Sequence, residues 1–158
     1  MKPFEEVVEA HGQVVLRVCR ALLGPADADD AWSETFLAAM RAYPELKPDS
    51  NVRGWLVTIA YRKALDALRK RKRIPIPTGE RIEVVGADER PTRLDDDLGD
   101  ALAALPPKQQ AAVVHHYLGG LPYADVGAEL GISADAARRN AADGIAALRH
   151  TFAKGARR

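Results

Sequence analysis

LPYADVGAELGISADAARRNAADGIAALRH, residues 121–150, is the passage on which the fold turns. A short helix fits 123–130, the turn Gly131-Ile132-Ser133 follows, and Ser133 is placed to cap a second helix reaching about His150. A short helix, a glycine-containing turn and a longer helix make the helix-turn-helix pattern. Val126, Leu130, Ile132, Ala137, Ala141, Ile145 and Leu148 recur at spacings that build one small shared core. Asp135, Arg139, Ala142, Asp143 and Ala146 then face outward on the second helix, with Arg138 flanking them. Arginines suit guanine edges and phosphates, and alanine suits a thymine methyl. Two aspartates on the same face repel phosphate, so this unit by itself is expected to bind DNA weakly.

Upstream, 95–105 reads as a short helix, Pro106-Pro107 opens another over 107–118, and Gly119-Gly120 ends it. Residues 74–93, IPIPTGERIEVVGADERPTR, hold three prolines and two glycines without a helical period. They read as a flexible linker with one short extended segment at 82–85. Three helices precede it. The first, 4–23, spaces Val7, Val8, Val14, Val15, Val18 and Leu22 helically and stops at Gly24-Pro25. The second starts near Asp27 as N-cap and runs to about Tyr43, before Pro44. The third follows Ser50 or Asn51 as cap. The expected architecture is all-α: two small helical domains, 1–73 and 94–158, joined by a flexible linker, with the helix-turn-helix in the C-terminal one.

Charge is distributed in blocks. The formal net charge of the chain is +1, yet residues 51–73, NVRGWLVTIAYRKALDALRKRKR, hold eight of the 23 Lys and Arg residues against the single acid Asp66. Residues 1–50 carry five bases and nine acids, 74–100 carry three bases and eight acids, and 101–158 are net +3. Such blocks face different partners. On the third helix, Val52, Leu56, Ile59, Ala60, Ala64, Ala67 and Leu68 fall inward, while Trp55, Arg62, Asp66, Arg69 and Arg73 fall on another face, with Lys63 and Lys70 at its margin. Guanidiniums one or two turns apart can follow phosphates, and a tryptophan ring can stack an unpaired base, so this face points to nucleic acid. On the second helix, Trp32, Phe36, Ala39, Met40 and Tyr43 read as core. Asp30, Ser33, Glu34, Leu37 and Arg41 share the opposite face, where Leu37 reads as a contact for a protein partner.

Three segments in this order resemble the extracytoplasmic-function (group IV, sigma-70 superfamily) type of RNA polymerase sigma factor. ADADDAWSETFLAAMRAY, residues 26–43, is similar to the family's core-polymerase-binding segment. NVRGWLVTIAYRKALDALRKRKR is similar to its −10 element segment, and LPPKQQAAVVHHYLGGLPYADVGAELGIS, residues 105–133, to the start of its −35-reading domain. The resemblance implies that Asp29, Asp30, Glu34 and Leu37 dock on the β′ clamp helices of core RNA polymerase. It implies that Asn51, Trp55, Arg62, Lys63 and Arg69 meet the melting −10 element, with loop 48–51 holding an extruded base. Ser133, Asp135, Arg138, Arg139 and Ala142 would meet the −35 element. It further implies contact with the β flap, an acidic linker lying in the RNA exit path, and control by an anti-sigma factor wedged between the domains, which the flexible linker permits. Family members often carry Asn where Arg62 stands, and their recognition helix is usually richer in bases than SADAARRNAADGIAALRH.

Other chemistry finds no support. His115-His116 are adjacent on a helix and complete no ligand set, and Asp95-Asp96-Asp97 lack the spacing of a calcium loop. Neither a metal nor another cofactor is expected. His115 and His116 read as surface or boundary residues. No phosphate loop and no nucleophile, base and acid constellation is present, so the chain does not read as an enzyme. Cys19 is the single cysteine and reads as a small buried hydrophobe in a reducing compartment. No run is long enough for a membrane span and MKPFEEVVEA lacks the features of a secretory signal, so the expected address is cytoplasmic. Two alternatives stand beside the sigma reading: a stand-alone helix-turn-helix regulator, and a polymerase decoy without productive promoter binding.

Overall fold

The computed structural model describes the backbone of residues 2–73 and 93–156 and the side chains of residues 2–71 and 97–153. Among the described residues there are seven α-helices and no strand: α1 (Phe4–Leu23), α2 (Pro25–Ala42), α3 (Val52–Arg73), α4 (Arg93–Ala103), α5 (Pro107–Val113), α6 (Tyr123–Leu130) and α7 (Ala134–Ala156). The expected linker, apart from Arg93, and its extended segment 82–85 lie outside the described residues.

Gly24 makes the first corner. It adopts φ 75°, a conformation that costs a side-chain-bearing residue energy, and its N–H closes α1 on the Arg20 carbonyl at 2.9 Å. Pro25 then occupies the first turn of α2, where its missing N–H costs nothing. Asp27 is therefore not the cap. It lies in the first turn, favoured by the helix dipole, and pairs with Arg71 of α3, whose Nη2 also donates to the Leu23 carbonyl at 2.7 Å. The indole Nε1–H of Trp32 donates to the Gly12 carbonyl at 2.9 Å and ties α2 to α1.

α1, α2 and α3 pack around Val15, Val18, Phe36, Leu56 and Ala60, all buried. Thr35 is also buried, its hydroxyl donating to the Ala31 carbonyl at 2.6 Å, while Met40, expected inside, is 50% exposed. The stripe that α2 buries therefore runs through Ala28, Ala31, Thr35 and Ala39 instead. Cys19 is fully buried, and burial pushes its thiol up to about 12.

The second half does not keep a separate core. Leu102, Leu105, Val113, Val114 and Leu148 join the cluster built by α1–α3. α4 lies so close to α1 that a Cβ at Gly99 would stand 3.3 Å from the Ala21 backbone. Only a small cluster belongs to the helix-turn-helix alone: Ala112, Val126, Ala137 and Ala141, with Leu121, Tyr123, Leu130 and Ile132 at its edge. Its turn matches the expectation. Gly131 closes α6 in the left-handed conformation (φ 70°), and the Ser133 hydroxyl accepts the Ala136 N–H at 3.0 Å.

The helix expected over 107–118 is interrupted. After α5 the backbone widens into a π-helical turn, Val114–Leu118. The extra residue changes the phase of the helix, as π-turns do. His115, one turn after buried Ala111, is buried, contrary to the surface or boundary position expected for it.

Candidate polymerase and nucleic-acid interfaces

Because α2 buries its alanine-rich side, it presents Asp29, Asp30, Glu34, Leu37 and Arg41 outward, all exposed. Leu37 is 50% exposed and sits in a groove between α2 and α3. Glu34, Ala38 and Arg41 share its wall, and Lys63, Asp66, Arg69 and Lys70 form the other. An apolar side chain flanked by both signs of charge is the pattern of a protein-docking surface, with the charges on its rim. Lys63 and Arg69 thus stand with Glu34 and Leu37, apart from Asn51 and Arg62, with which the resemblance grouped them. Arg69 also lies 3.5 Å from Asp66, an exposed pair of small energetic weight.

The start of α3 faces a different way. Asn51 is its cap: the side-chain Oδ1 accepts the Gly54 N–H at 3.0 Å. The same side chain donates from Nδ2 to the carbonyls of Gly119 (3.4 Å) and Gly120 (3.2 Å), and Arg53 donates from Nε to the Leu118 carbonyl at 2.7 Å. Trp55 is half-buried on the main core, its ring 6.5 Å from that of Tyr43. It is less open than a free stacking platform. Pro48 and Val52 line a cavity of about 520 Å³ with Lys2, His11, Tyr43 and Lys47. Burial, then the charges of Arg53 and Lys2, hold the His11 imidazole below its ordinary pKa, and Glu6 shares the cavity with Lys2 and Lys47.

Further along α3, Arg62 grips Glu129 of α6 with both prongs, Nε to Oε1 at 2.8 Å and Nη2 to Oε2 at 2.7 Å. Val57 and Tyr61, which lie between, are buried. The Tyr61 hydroxyl donates to Gln110 Oε1 at 2.9 Å, and burial pushes its pKa up to about 12. His115 meets the Tyr61 ring edge-on at 5.0 Å and places Nδ1 2.7 Å from the Ala111 carbonyl. Nδ1 is therefore the protonated nitrogen of a neutral ring, and Nε2 is buried without a hydrogen-bond partner. Burial is the main cause of its depressed pKa.

On α7, Arg138, Arg139 and Ala142 are exposed as expected. Arg138 is engaged, however: Asp135 on the same helix lies 3.0 Å away, and the guanidinium carbon stands 5.3 Å from the Tyr123 ring centre. Tyr123 in turn stacks on His116 at 3.9 Å. Among the described residues Arg139 makes no ion pair and is the more available of the two. Ser133 uses its hydroxyl as the cap of α7. The described residues hold no cluster of His, Cys, Asp and Glu able to take a metal ion, and no helix among them is long and apolar enough to cross a membrane.

Residues 7–74 match the family described as Sigma-70 region 2, and residues 95–148 match Sigma-70, region 4. The chain is 34% identical to the ECF RNA polymerase sigma factor SigE of Mycolicibacterium smegmatis, with 98% of this chain and 63% of that relative covered. It is 32% identical to the RNA polymerase sigma factor CarQ of Myxococcus xanthus, covering 92% of this chain and 87% of CarQ. Among solved structures, the sigma factor RpoE of Bartonella quintana, solved with the anti-sigma factor NepR, aligns with a TM-score of 0.72 at 21% identity over 96% of this chain and 98% of that one. CnrH, solved with the cytosolic domain of CnrY, aligns with a TM-score of 0.66 at 22% identity over 96% and 88%. At these identities the structural likeness is one of fold. Two helical regions, the second a helix-turn-helix, define a DNA-binding transcription protein. The chain belongs to the extracytoplasmic-function group of the sigma-70 family of RNA polymerase sigma factors.

Proposed function

We propose that this chain binds core RNA polymerase in the cytoplasm and directs it to promoters with −10 and −35 elements, aiding their melting. The observation that carries the reading is the α2–α3 groove, where half-exposed Leu37 lies with Glu34 and Arg41 on one wall and faces the mainly basic wall of Lys63, Asp66, Arg69 and Lys70. In this reading Asp29, Asp30, Glu34 and Leu37 dock on the β′ clamp helices, and Lys63 and Arg69 extend that surface toward the −10 strand. Asn51, Trp55 and Arg62 meet the unpaired −10 strand, and the cavity beside loop 48–51 receives an extruded base. On α7, Arg139 supplies the principal −35 contact, with Arg138, Asp135, Ala142 and Ser133 around it, while the same region meets the β flap. An anti-sigma factor is the expected antagonist, as the sigma factor RpoE of Bartonella quintana was solved with the anti-sigma factor NepR.

Run-off transcription with purified core polymerase, on the DNA upstream of the chain's own gene, tests the proposal. Initiation at a defined start that depends on added protein supports it. Asp30→Arg with Glu34→Arg is expected to abolish core binding with the helical circular dichroism unchanged. Retained binding would sink the docking assignment. Absence of both transcript and core binding in the wild-type chain would favour a stand-alone regulator.

A further inference from the structure

Between the π-turn and α7 runs a stack of rings that ends on an arginine. His116, in the π-turn, lies flat on Tyr123, the first residue of α6: the ring centres are 3.9 Å apart and the planes 13° from parallel. The His116 ring is itself fixed. Its Nδ1 donates to the Leu121 carbonyl at 2.8 Å, and Tyr117 meets it edge-on at 4.9 Å. Tyr117 and Tyr123 also share a side-chain hydrogen bond. With the imidazole covering one face of Tyr123, the guanidinium of Arg138 takes the other, its central carbon 5.3 Å from the ring centre. Asp135, one turn earlier on α7, accepts a hydrogen bond from Arg138 Nη1 at 3.0 Å.

The two restraints act differently on the guanidinium. The ring fixes its plane, and the carboxylate fixes its rotation within that plane by taking Nη1. The Asp135 side chain is 83% exposed, and a pair so open holds little on its own. Tyr123 carries more weight, because it is half-buried at the edge of the small core and clamped from behind by His116. Among the described residues Arg138 Nε and Nη2 donate to nothing, so that edge remains a fork of two parallel donors. Such a fork matches the O6 and N7 acceptors that guanine presents in the major groove. A long side chain that is ordered beforehand loses less entropy when it makes that match. Arg139, its neighbour, is exposed and has no such platform, which suits it to follow a phosphate. Arg139 thus adds affinity for any sequence, and Arg138 is set up to choose one.

We propose that Tyr123, backed by His116, is a positioning residue for promoter specificity: it holds Arg138 ready to read one guanine of the −35 element. The proposal deepens the sigma reading above and rests on α7 facing that element. Tyr123 meets no base itself; it acts through Arg138.

Two measurements on the full chain separate positioning from base reading. The first needs neither polymerase nor DNA. In heteronuclear NMR spectra the Arg138 Nε–H, held over a ring face, is expected upfield of the Arg139 Nε–H. Tyr123→Leu is expected to bring the two signals together, and Tyr123→Phe, which keeps the face and loses the hydroxyl, to leave them apart. An Arg138 signal that Tyr123→Leu does not move overturns the positioning. The second is run-off transcription with core polymerase on the upstream DNA, with each −35 base pair replaced in turn. Wild-type output is expected to fall about tenfold when one guanine is replaced, and Arg138→Ala to be indifferent to that replacement. Tyr123→Leu is expected to cut this discrimination to about threefold and Tyr123→Phe to retain it, while Arg139→Ala lowers output from every template alike. Equal losses from all templates in Tyr123→Leu would give the ring a structural role only and overturn the proposal, as would the wild-type preference persisting in Arg138→Ala. Absence of both transcription and core binding in the wild-type chain strikes the sigma reading instead, and the NMR comparison tells that failure from this one.

Discussion

The three-helix unit and the helix-turn-helix hold themselves together by different means. The first is filled by large side chains, with Leu56, Val15 and Val18 fully buried, Phe36 nearly so, and Trp32 packed against them. The cluster belonging to the second alone is alanine and valine. What it lacks in volume it replaces by closeness of backbone. A Cβ on Gly127 would stand 2.6 Å from the Ile132 carbonyl oxygen, and one on Gly144 would stand 2.6 Å from Val113 Cγ2. Stability in the first unit therefore depends on what is present, and in the second on what is absent. The second unit also leans on the first through Leu102, Val114 and Leu148.

This contrast can be broken most forcefully in the large core. Leu56→Ala removes a fully buried side chain with no room to collapse and is expected to cost about 3 kcal/mol in a denaturant titration. A loss below about 1 kcal/mol would mean that Leu56 does not fill the three-helix core. Gly127→Ala should act in the opposite sense, by adding atoms. Its methyl meets a backbone oxygen that cannot rotate away, so a loss of about 2 kcal/mol is expected although alanine is the better helix former. Amide exchange would show that loss concentrated in α6 and α7. Uniform weakening across both units would deny the distinction.

The smallest expected effect belongs to the joint between the units. The pKa of His115 is depressed in the folded chain, chiefly by burial, so the unfolded chain binds more protons once the pH drops below the ordinary histidine value of about 6.5. The stabilising contribution of the neutral ring is complete above that value and is lost as the pH falls toward the folded-state pKa. The Arg62 charge acts in the same direction, and the Glu129 charge and the hydrogen bond to Ala111 oppose it. His11 adds a parallel contribution from the other side of α3. Thermal unfolding at about pH 5 should thus fall below that at about pH 7.5, and His115→Gln should flatten the profile. A profile that is just as steep in the variant would assign the dependence elsewhere.

Much of the fold was legible because its signals are local. Gly24-Pro25, Asn51, Gly131 and Ser133 act within one turn of themselves, so α1, α3, α6 and the helix-turn-helix turn fall where their residues place them. Thr35 escaped because its hydroxyl is satisfied by its own helix, which hydropathy does not register, and the error moved Met40 inward. The π-turn has no compositional mark, and the burial of His115 follows from the side of the helix it shares with Ala111, which a histidine pair does not announce. For the sites, the acidic face of α2 and its exposed Leu37 could be read from periodicity. The separation of Lys63 from Arg62 could not, because one residue along a helix is 100° of rotation and a broad basic face conceals it. The burial of Val57 and Tyr61 depends on a region some fifty residues away. No spacing within α3 announces it.

Cys19 has a consequence for anyone wishing to work on this molecule. Its thiol is sealed inside the three-helix core, and burial pushes it up to about 12, so it stays protonated near neutral pH. Maleimides, spin-label reagents and mild oxidants find no nucleophile there. Probes attached at introduced surface cysteines will report on those positions alone, in a chain whose native cysteine need not be replaced.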